Sequence, residues 1–286
     1  MKKLLVCVLV LLTGTALRAQ SLLWEVSGNG LRQPSYLFGT YHLLKDSYLN
    51  EAPKVKAAYD KAPGVVVEMI VDSSKLMQVA MRGMMLGNSL AKLLPPDDYK
   101  LVADEFRAVV GTDLSFFNMM KPVVTATVLS LAYAEKDADT LRRFTGQPID
   151  LYFAQNGKQR GKVVSGLETM EEQVTLLYDH DPVEKQAEQL VKMIRDKTNT
   201  RQSGKALMDS YLAGDLNRLN KLITESESTF GDMTYLLDAR NQNWMKRLPG
   251  LMAARPSFIA VGAGHLPGSN GLLALLQKAG YTVRPL

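Results

Sequence analysis

The sequence predicts an α/β fold in which strands from both ends of the chain share one mixed sheet and a large helical segment fills the middle. Two observations lead to this prediction. Short runs rich in β-branched and aromatic residues occur near residues 21–71 and 257–284. Most of the chain between them has apolar residues at three- and four-residue spacing, the pattern of amphipathic helices. A sheet closed by both ends of the chain favours a single domain over residues 20–286.

The first twenty residues have the pattern of a secretory signal peptide. Two lysines precede the apolar run Leu4–Leu12, which is too short to span a bilayer, and small residues follow up to Ala19. We therefore expect residues 1–19 to be removed, leaving a periplasmic or secreted protein without a membrane span. The single cysteine, Cys7, lies in this segment, so the mature protein has neither disulfides nor thiolate ligands.

The charge of the chain argues against nucleic-acid binding. The formal net charge is +5, but Lys2, Lys3 and Arg18 lie in the predicted signal peptide, and their removal leaves +2. So small an excess indicates no basic surface for a phosphate backbone. The sequence also lacks a phosphate-binding loop, a dinucleotide fingerprint and the nucleophile elbow of serine hydrolases.

The sheet begins with a predicted β-hairpin. The runs Ser21–Val26 and Ser35–Leu44 are typical of strands, and Gly28-Asn29-Gly30 lies between them. Glycine and asparagine adopt the positive φ angles that a tight turn needs. The two runs are therefore predicted to pair as neighbouring strands.

A helix and a buried strand follow the hairpin. The helix is predicted over Glu51–Lys61, with Asn50 as its N-cap. The run Val65–Val71 is mostly β-branched and is interrupted by one acidic residue, Glu68. Such a run predicts a strand buried on both faces, where a carboxylate is costly unless it is paired or bound to a cation.

The middle of the chain is predicted to be mostly helical, from residue 73 to about 136 and from 169 to about 248. Methionines 77, 81, 84 and 85 recur at helical spacing. They are expected in the core, and a peptide groove lined by exposed methionines is the alternative. Turns are predicted at residues 180–182, 199–204 and 226–231.

One more strand is predicted inside this helical region, over Lys162–Leu167. It is followed by Thr169 and Glu172, whose spacing matches a capping box at the start of a helix. At the C-terminal end, a strand is predicted over Ser257–Val261, then a helix over Leu272–Ala279 and a closing strand over Tyr281–Arg284.

Four polar residues lie at or just beyond the ends of predicted strands: His42, Glu68, Glu168 and His265. In open α/β sheets, ligands bind outside the carboxyl ends of the strands. Two imidazoles with carboxylates, and no thiolate, form a ligand set suited to zinc, manganese or iron. The sequence therefore predicts a metal site at this edge of the sheet.

The two histidines share a local motif. Gly39 precedes His42 by three residues, and Gly262 precedes His265 by three residues. A glycine at this position permits either a close backbone approach or a positive φ, and both would aim the imidazole. Two such motifs among only three histidines favour a shared function.

Several polar residues have two interpretations at this point. Glu168 is either part of the site or an ordinary acid beside a helix start. Arg240 either points inward to pair with carboxylates or lies over Trp244 at the surface. Asn241 falls on the apolar stripe of its helix and needs a partner, and Asp150 is equally open.

The segments that contain these residues resemble those of the TraB/GumN family. The resemblance is to the GumN-like branch of that family, and the chain is also similar to the Tiki metalloproteases. The segments that carry the resemblance are YLFGTYH at 36–42, VVVE at 65–68, GLET at 166–169, RN at 240–241 and VGAGHLPG at 261–268. The resemblance implies a fold similar to that of erythromycin-esterase-like and haem-binding ChaN-like proteins. For relatives of Tiki, it implies hydrolysis of peptide bonds that depends on manganese or cobalt.

The leading hypothesis is an exported metal-dependent hydrolase, a peptidase acting on peptides or proteins. His42, Glu68 and His265 would hold a divalent metal (manganese, cobalt or zinc) that activates water. Glu168 would be the general base or a further ligand, and Arg240 would stabilise the oxyanion. The alternative is a non-enzymatic module that holds haem or another small ligand in the same cleft.

Overall fold

A computed structural model of the protein describes residues 21–137, 139–225 and 233–286. Within these ranges the chain forms six β-strands and thirteen α-helices, so the predicted α/β fold is confirmed. The expected signal peptide, residues 1–19, and the predicted turn at 226–231 lie outside the described residues.

The strands form a single mixed sheet. They are β1 (Leu23–Gly28), β2 (Ser35–Thr40), β3 (Gly64–Met69), β4 (Val163–Glu168), β5 (Ser257–Gly262) and β6 (Tyr281–Pro285). Their order is β4-β3-β5-β2-β1-β6. The first four in this order run parallel, whereas β1 is antiparallel to both β2 and β6. Because β5 lies between β3 and β2, strands from both ends of the chain share the sheet, as predicted.

Eleven of the helices lie between β3 and β5 in the chain. The full set is α1 (Pro53–Lys61), α2 (Leu76–Arg82), α3 (Leu90–Leu93), α4 (Pro96–Val110), α5 (Pro122–Asp137), α6 (Ile149–Gln159), α7 (Met170–Tyr178), α8 (Val183–Arg195), α9 (Lys197–Leu212), α10 (Leu216–Glu225), α11 (Met233–Met245), α12 (Leu248–Ala254) and α13 (Leu272–Lys278). In the described part of the chain, no helix has both the length and the apolarity needed to cross a membrane.

The buried apolar residues form two hydrophobic cores. The sheet core contains side chains from the strands and from the helices around them, including Phe38, Phe153 and Phe258. The helical core contains no strand residue and is formed largely by α3, α4, α5 and α8, with Phe106 and Leu129 fully buried in it. A cleft is lined by residues at the strand ends and by residues of α5 and of several other helices.

The turn of the first hairpin agrees with the sequence prediction. Gly28, Asn29 and Gly30 all have positive φ angles, of 79°, 46° and 79°. β1 and β2 pair as antiparallel neighbours on either side of this turn. The capping box is also confirmed, because Thr169 and Glu172 exchange side-chain and backbone hydrogen bonds at the start of α7.

Two predicted boundaries near the N-terminus are wrong. β2 ends at Thr40 rather than Leu44, so His42 follows the strand in a turn instead of lying within it. α1 begins at Pro53 with Ala52 at its N-cap, whereas Asn50 lies in a preceding 3₁₀ turn. Proline sets this start because its φ suits the first helical position and it has no N–H to be capped.

Two predictions for the helical region are also wrong. Residues 199–204 lie inside α9 instead of forming a turn. The hydroxyl of Thr200 donates to the backbone carbonyls of Met193 in α8 and of Asp196, the N-cap of α9, so this polar side chain is satisfied without breaking the helix. Met77 and Met81 are largely exposed rather than in the core, because α2 lies at the surface and none of its residues is buried.

The 3₁₀ turn after β5, Ala263–His265, packs tightly on β2 at Gly39. A Cβ atom on Gly39 would lie only 3.0 Å from the Cα and Cβ atoms of Ala263. Neither Gly39 nor Gly262 has a positive φ. Close approach, and not backbone conformation, is therefore the reason for glycine in these motifs.

We predict that Gly39→Ala lowers the free energy of unfolding by about 1–3 kcal/mol, because the turn that carries His265 must move away from β2. Urea denaturation measures this change. The matched control is Gly204→Ala in α9, where no atom lies within 4 Å of the added Cβ. The control should raise stability by about 1 kcal/mol. Equal stability of Gly39→Ala and the unchanged protein would contradict the packing described.

Candidate functional site

The structure brings the five residues singled out in the sequence to one edge of the sheet. Glu68 lies near the end of β3, and Glu168 is the last residue of β4. His42 follows β2, and His265 lies in the 3₁₀ turn after β5. Arg240 reaches this edge from α11. The carboxyl ends of four parallel strands therefore surround the cluster, as the sequence predicted.

Arg240 links the two glutamates. Its Nη2 donates to Glu68 Oε2 at 2.5 Å and to Glu168 Oε1 at 2.7 Å, and its Nε lies 3.1 Å from both oxygens of Glu168. The Arg240 side chain is only 12% exposed, and its guanidinium carbon lies 4.8 Å from the centre of the Trp244 ring. Arg240 therefore points inward and pairs with the carboxylates, and it also contacts the Trp244 ring in this buried position.

Glu168 has all of its hydrogen-bonding capacity occupied by neighbours. Besides Arg240, the indole N–H of Trp244 donates to Oε2 at 2.9 Å, and Nε2 of Gln173 donates to Oε1 at 3.1 Å. The carboxylate is therefore an anchor for the Arg240 guanidinium at the end of β4.

His265 is buried and held in one orientation by Asn241. The amide nitrogen of Asn241 donates to the backbone carbonyls of His265 and Asn270, at 3.2 and 2.9 Å. Its Oδ1, 2.8 Å from His265 Nδ1, is therefore the acceptor, which assigns the proton to Nδ1 and a lone pair to Nε2. Arg240 Nη1 lies 3.0 Å from Nε2 and donates to it.

His42 stands at the mouth of the site, with its side chain 69% exposed. Its Nδ1 lies 3.0 Å from Asp150 Oδ2, and the hydroxyl of Thr40 donates to the other oxygen of Asp150. The hydrogen bond with Asp150 raises the pKa of His42 above its ordinary value. Asp150, which the sequence left open, is therefore the residue that orients His42.

Glu68 is ionised and His265 is neutral, although both are buried. Burial alone would raise the pKa of Glu68, but Arg240, His42 and the N–H of Gly262 lower it to about 2. Burial lowers the pKa of His265 to about 3, so its imidazole is neutral at physiological pH. The positive charge that stabilises the Glu68 carboxylate there is consequently that of Arg240 and His42.

Three potential ligand groups surround a small space beside Gly262. A Cβ atom built on this glycine would lie 3.2 Å from Glu68 Oε1, 3.7 Å from His265 Cδ2 and 3.9 Å from His42 Nε2. Glu68 Oε1 is 3.8 Å from His265 Nε2. Over residues 21–137, 139–225 and 233–286, however, no three His, Cys, Asp or Glu side chains are already arranged as a metal site. The Arg240 guanidinium uses the lone pair of His265 instead.

Four members of the cluster, His42, Glu68, Arg240 and His265, form part of the wall of a cleft of about 700 Å³. The rest of the wall is largely apolar and comes from α5, α6, α7, α9, α10 and α11, as well as from the strand ends. The site is therefore both accessible and partly screened from water, which strengthens electrostatic interactions within it.

Sequence reasoning missed two donors to Glu168. The sequence indicates Trp244 only as an apolar surface under Arg240, although a buried indole N–H needs an acceptor and so signals a polar neighbour. Gln173 carried no signal in the sequence. Its role arises because α7 starts directly after β4 and returns its first turn over Glu168.

These features define an α/β protein with a glutamate–arginine–histidine network in a cleft at the carboxyl ends of parallel strands. Residues 22–285 match the model of the TraB/PrgY/gumN family, and the chain belongs to this family.

Three relatives with similar sequences carry the name metalloprotease. Metalloprotease TIKI2 from Danio rerio is 25% identical, Metalloprotease TIKI1 from the same organism is 23% identical, and Metalloprotease TIKI1 from Xenopus tropicalis is 24% identical. Each comparison covers 92% of this chain but only 60–62% of the relative. The chain thus spans about three fifths of the length of these relatives. No solved structure matches it significantly, so the likeness to erythromycin-esterase-like and ChaN-like folds stays a prediction.

We predict that Glu168→Gln lowers the free energy of unfolding by about 3 kcal/mol, because it removes one of the two carboxylates that compensate the buried Arg240. Thermal or urea denaturation measures the change. Glu171→Gln, at the exposed ion pair with Lys75, is the control and should leave the unfolding midpoint unchanged. If both variants unfolded like the unchanged protein, Glu168 would not be the anchor of Arg240.

Proposed function

We propose that this protein is an exported metal-dependent hydrolase that cleaves peptide bonds, with residues 1–19 acting as its signal peptide. The observation that carries the proposal is the convergence of His42 Nε2, Glu68 Oε1 and the His265 ring beside Gly262, in the wall of a cleft. The names of the TIKI relatives support the same class of activity.

The charges of the cluster favour a bound cation. Glu68, Glu168 and Asp150 contribute three carboxylates, whereas the cationic partners are Arg240 and, when protonated, His42. An additional positive charge would balance this excess of anionic groups.

The donor atoms also fit a divalent metal ion. Two imidazole nitrogens and one carboxylate oxygen suit manganese, cobalt or zinc. Asp150 and Asn241 hold Nδ1 of His42 and His265 respectively, as outer partners of metal-binding histidines do. A cation on His265 would take the lone pair that now accepts from Arg240.

Arg240 and Glu168 have distinct parts in the proposed reaction. His42, Glu68 and His265 would hold a divalent metal, which would supply polarisation of a peptide carbonyl and a lowered pKa of bound water. Glu168 keeps Nε and Nη2 of Arg240 fixed, which leaves Nη1 to donate to the anionic oxygen that develops on the carbonyl. The hydrogen bonds of Glu168 favour this anchoring role over that of the general base or further ligand considered from the sequence.

The second candidate function is a non-enzymatic module that binds haem or another small ligand. The apolar character of the cleft and the presence of Tyr41 beside His42 in its wall favour it. Haem binding would produce a visible absorption band that Tyr41→Phe or His42→Ala weakens. An unchanged haem spectrum on mixing with the protein counts against this candidate.

We predict that the metal content of His42→Ala and of His265→Ala, for manganese or zinc, is lower than that of the unchanged protein by about tenfold or more, because each variant loses one ligand. Metal content after equilibrium dialysis, measured by mass spectrometry, tests this. The matched control is His180→Ala, which removes the one remaining histidine and should keep the metal content. Equal metal content in all four proteins would refute the proposed ligands.

We further predict that the protein hydrolyses peptides in the presence of manganese or cobalt and that Glu68→Gln lowers the rate at least about a hundredfold. Mass spectrometry of a peptide mixture measures the products. Glu171→Gln serves again as the control and should retain the rate. Metal-independent cleavage, or no cleavage with either manganese or cobalt, would contradict the proposal.

A further inference from the structure

The cleft next to the Glu68–Arg240 pair has a wall that is apolar over most of its area. Among the described residues, only three ionisable side chains of this wall lie outside the cluster: Tyr41, Asp150 and Lys158. Asp150 is hydrogen-bonded to Thr40 and His42, and Lys158 lies at the far end of α6. A cleft of about 700 Å³ is large enough to enclose several side chains of a ligand.

One side of the cleft is a stripe along α5. Thr127, Ser130, Leu131 and Ala134 line the cavity, and their spacing places them on one face of the helix. The hydroxyl of Thr127 donates to the carbonyl of Val123. Because this hydroxyl is already hydrogen-bonded within the helix, only the methyl group of Thr127 is left to contact a ligand. The stripe is therefore an apolar surface facing the strand ends.

The other sides of the cleft come from the strand ends and from α6, α7, α9, α10 and α11. Leu151 and Ala154 of α6 line it, as do Ile223 of α10 and Leu237 of α11. Gln155 is the uncharged polar residue that α6 adds to the wall, besides Asp150 and Lys158, and its side chain makes no hydrogen bond within the described part of the chain. Its amide group is available to the backbone of a bound peptide.

Large apolar residues remain accessible at the mouth of the cleft. Leu131 is 45% exposed, and Val71 and Leu177 are exposed as well, although all three line the cavity. Accessible apolar side chains grouped around a concave site mark a surface that another molecule covers. The surface is continuous with Glu68 and His265, which belong to the same cavity.

We propose that this cleft selects peptides that carry bulky aliphatic or aromatic residues next to the bond to be cleaved. The inference rests on the proposed hydrolase for the cleavage step alone, since the selection itself is a binding property of the cleft. A peptide fits better than a fatty-acyl chain, because the side-chain amide of Gln155 can both donate to and accept from backbone amides along a peptide, whereas the methylene groups of an acyl chain do neither.

Binding is measured without cleavage, on protein freed of metal with a chelator. Two fluorescein-labelled decapeptides of glycine and serine are compared by fluorescence anisotropy, one with a central Leu-Phe pair and one with a central Ser-Ser pair. The Leu-Phe peptide should bind at least tenfold more tightly. Equal affinity of the two peptides would overturn the inference.

Variants locate the binding in the cleft. Leu131→Glu places a charge on the α5 stripe and should weaken binding of the Leu-Phe peptide at least tenfold. Leu177→Glu repeats the test from α7, in case the first variant folds poorly. The matched control is Leu86→Glu, at a leucine that is 86% exposed and lies outside the cleft wall. Equal loss in the control and in both cleft variants would place the peptide elsewhere and overturn the inference.

Cleavage assays with manganese separate this inference from the hydrolase proposal. Selective binding of the Leu-Phe peptide without cleavage supports the apolar selection and contradicts the hydrolase. Equal cleavage of both peptides supports the hydrolase and overturns the selection. Binding of cis-parinaric acid, with loss in Leu131→Glu and no binding of either peptide, would identify an acyl ligand and overturn the peptide assignment.

Discussion

The buried guanidinium of Arg240 is the group on which the arrangement of the site depends. A charge removed from water is tolerated only when it is paired and hydrogen-bonded. Here the partners are carboxylates at the ends of two adjacent parallel strands, β3 and β4, and a neutral imidazole after β5. One side chain from the helical region therefore fixes three strand ends relative to one another.

The two histidines of the site have opposite surroundings. His265 is enclosed by Trp244 and Asn241 and is neutral, whereas His42 is exposed at the mouth of the cleft and favours its protonated form through Asp150. A cation entering the site would meet a fixed acceptor in His265. It would meet a more accessible group in His42, which must first give up its proton.

Much of the sheet could be predicted from local sequence, because turn chemistry and β-branched runs act over a few residues. The Gly28–Gly30 turn, the buried β3 run and the two glycine–histidine motifs are examples. The partners of Arg240 and the exposure of Met77 depend instead on how distant helices pack. Local patterns contain no information on those packing angles, so the anchoring role of Glu168 emerged only from the structure.

We propose that His42, Glu68 and His265 bind one divalent cation in exchange for the hydrogen bond between Arg240 and His265. The most direct test is a titration of the metal-free protein with Zn²⁺, followed by nitrogen NMR of the histidine and arginine side chains. We expect the nitrogen signals of Nε2 in both histidines and of the Arg240 guanidinium to shift together and to stop shifting at one equivalent of Zn²⁺. A titration in which His265 and Arg240 do not respond would contradict it.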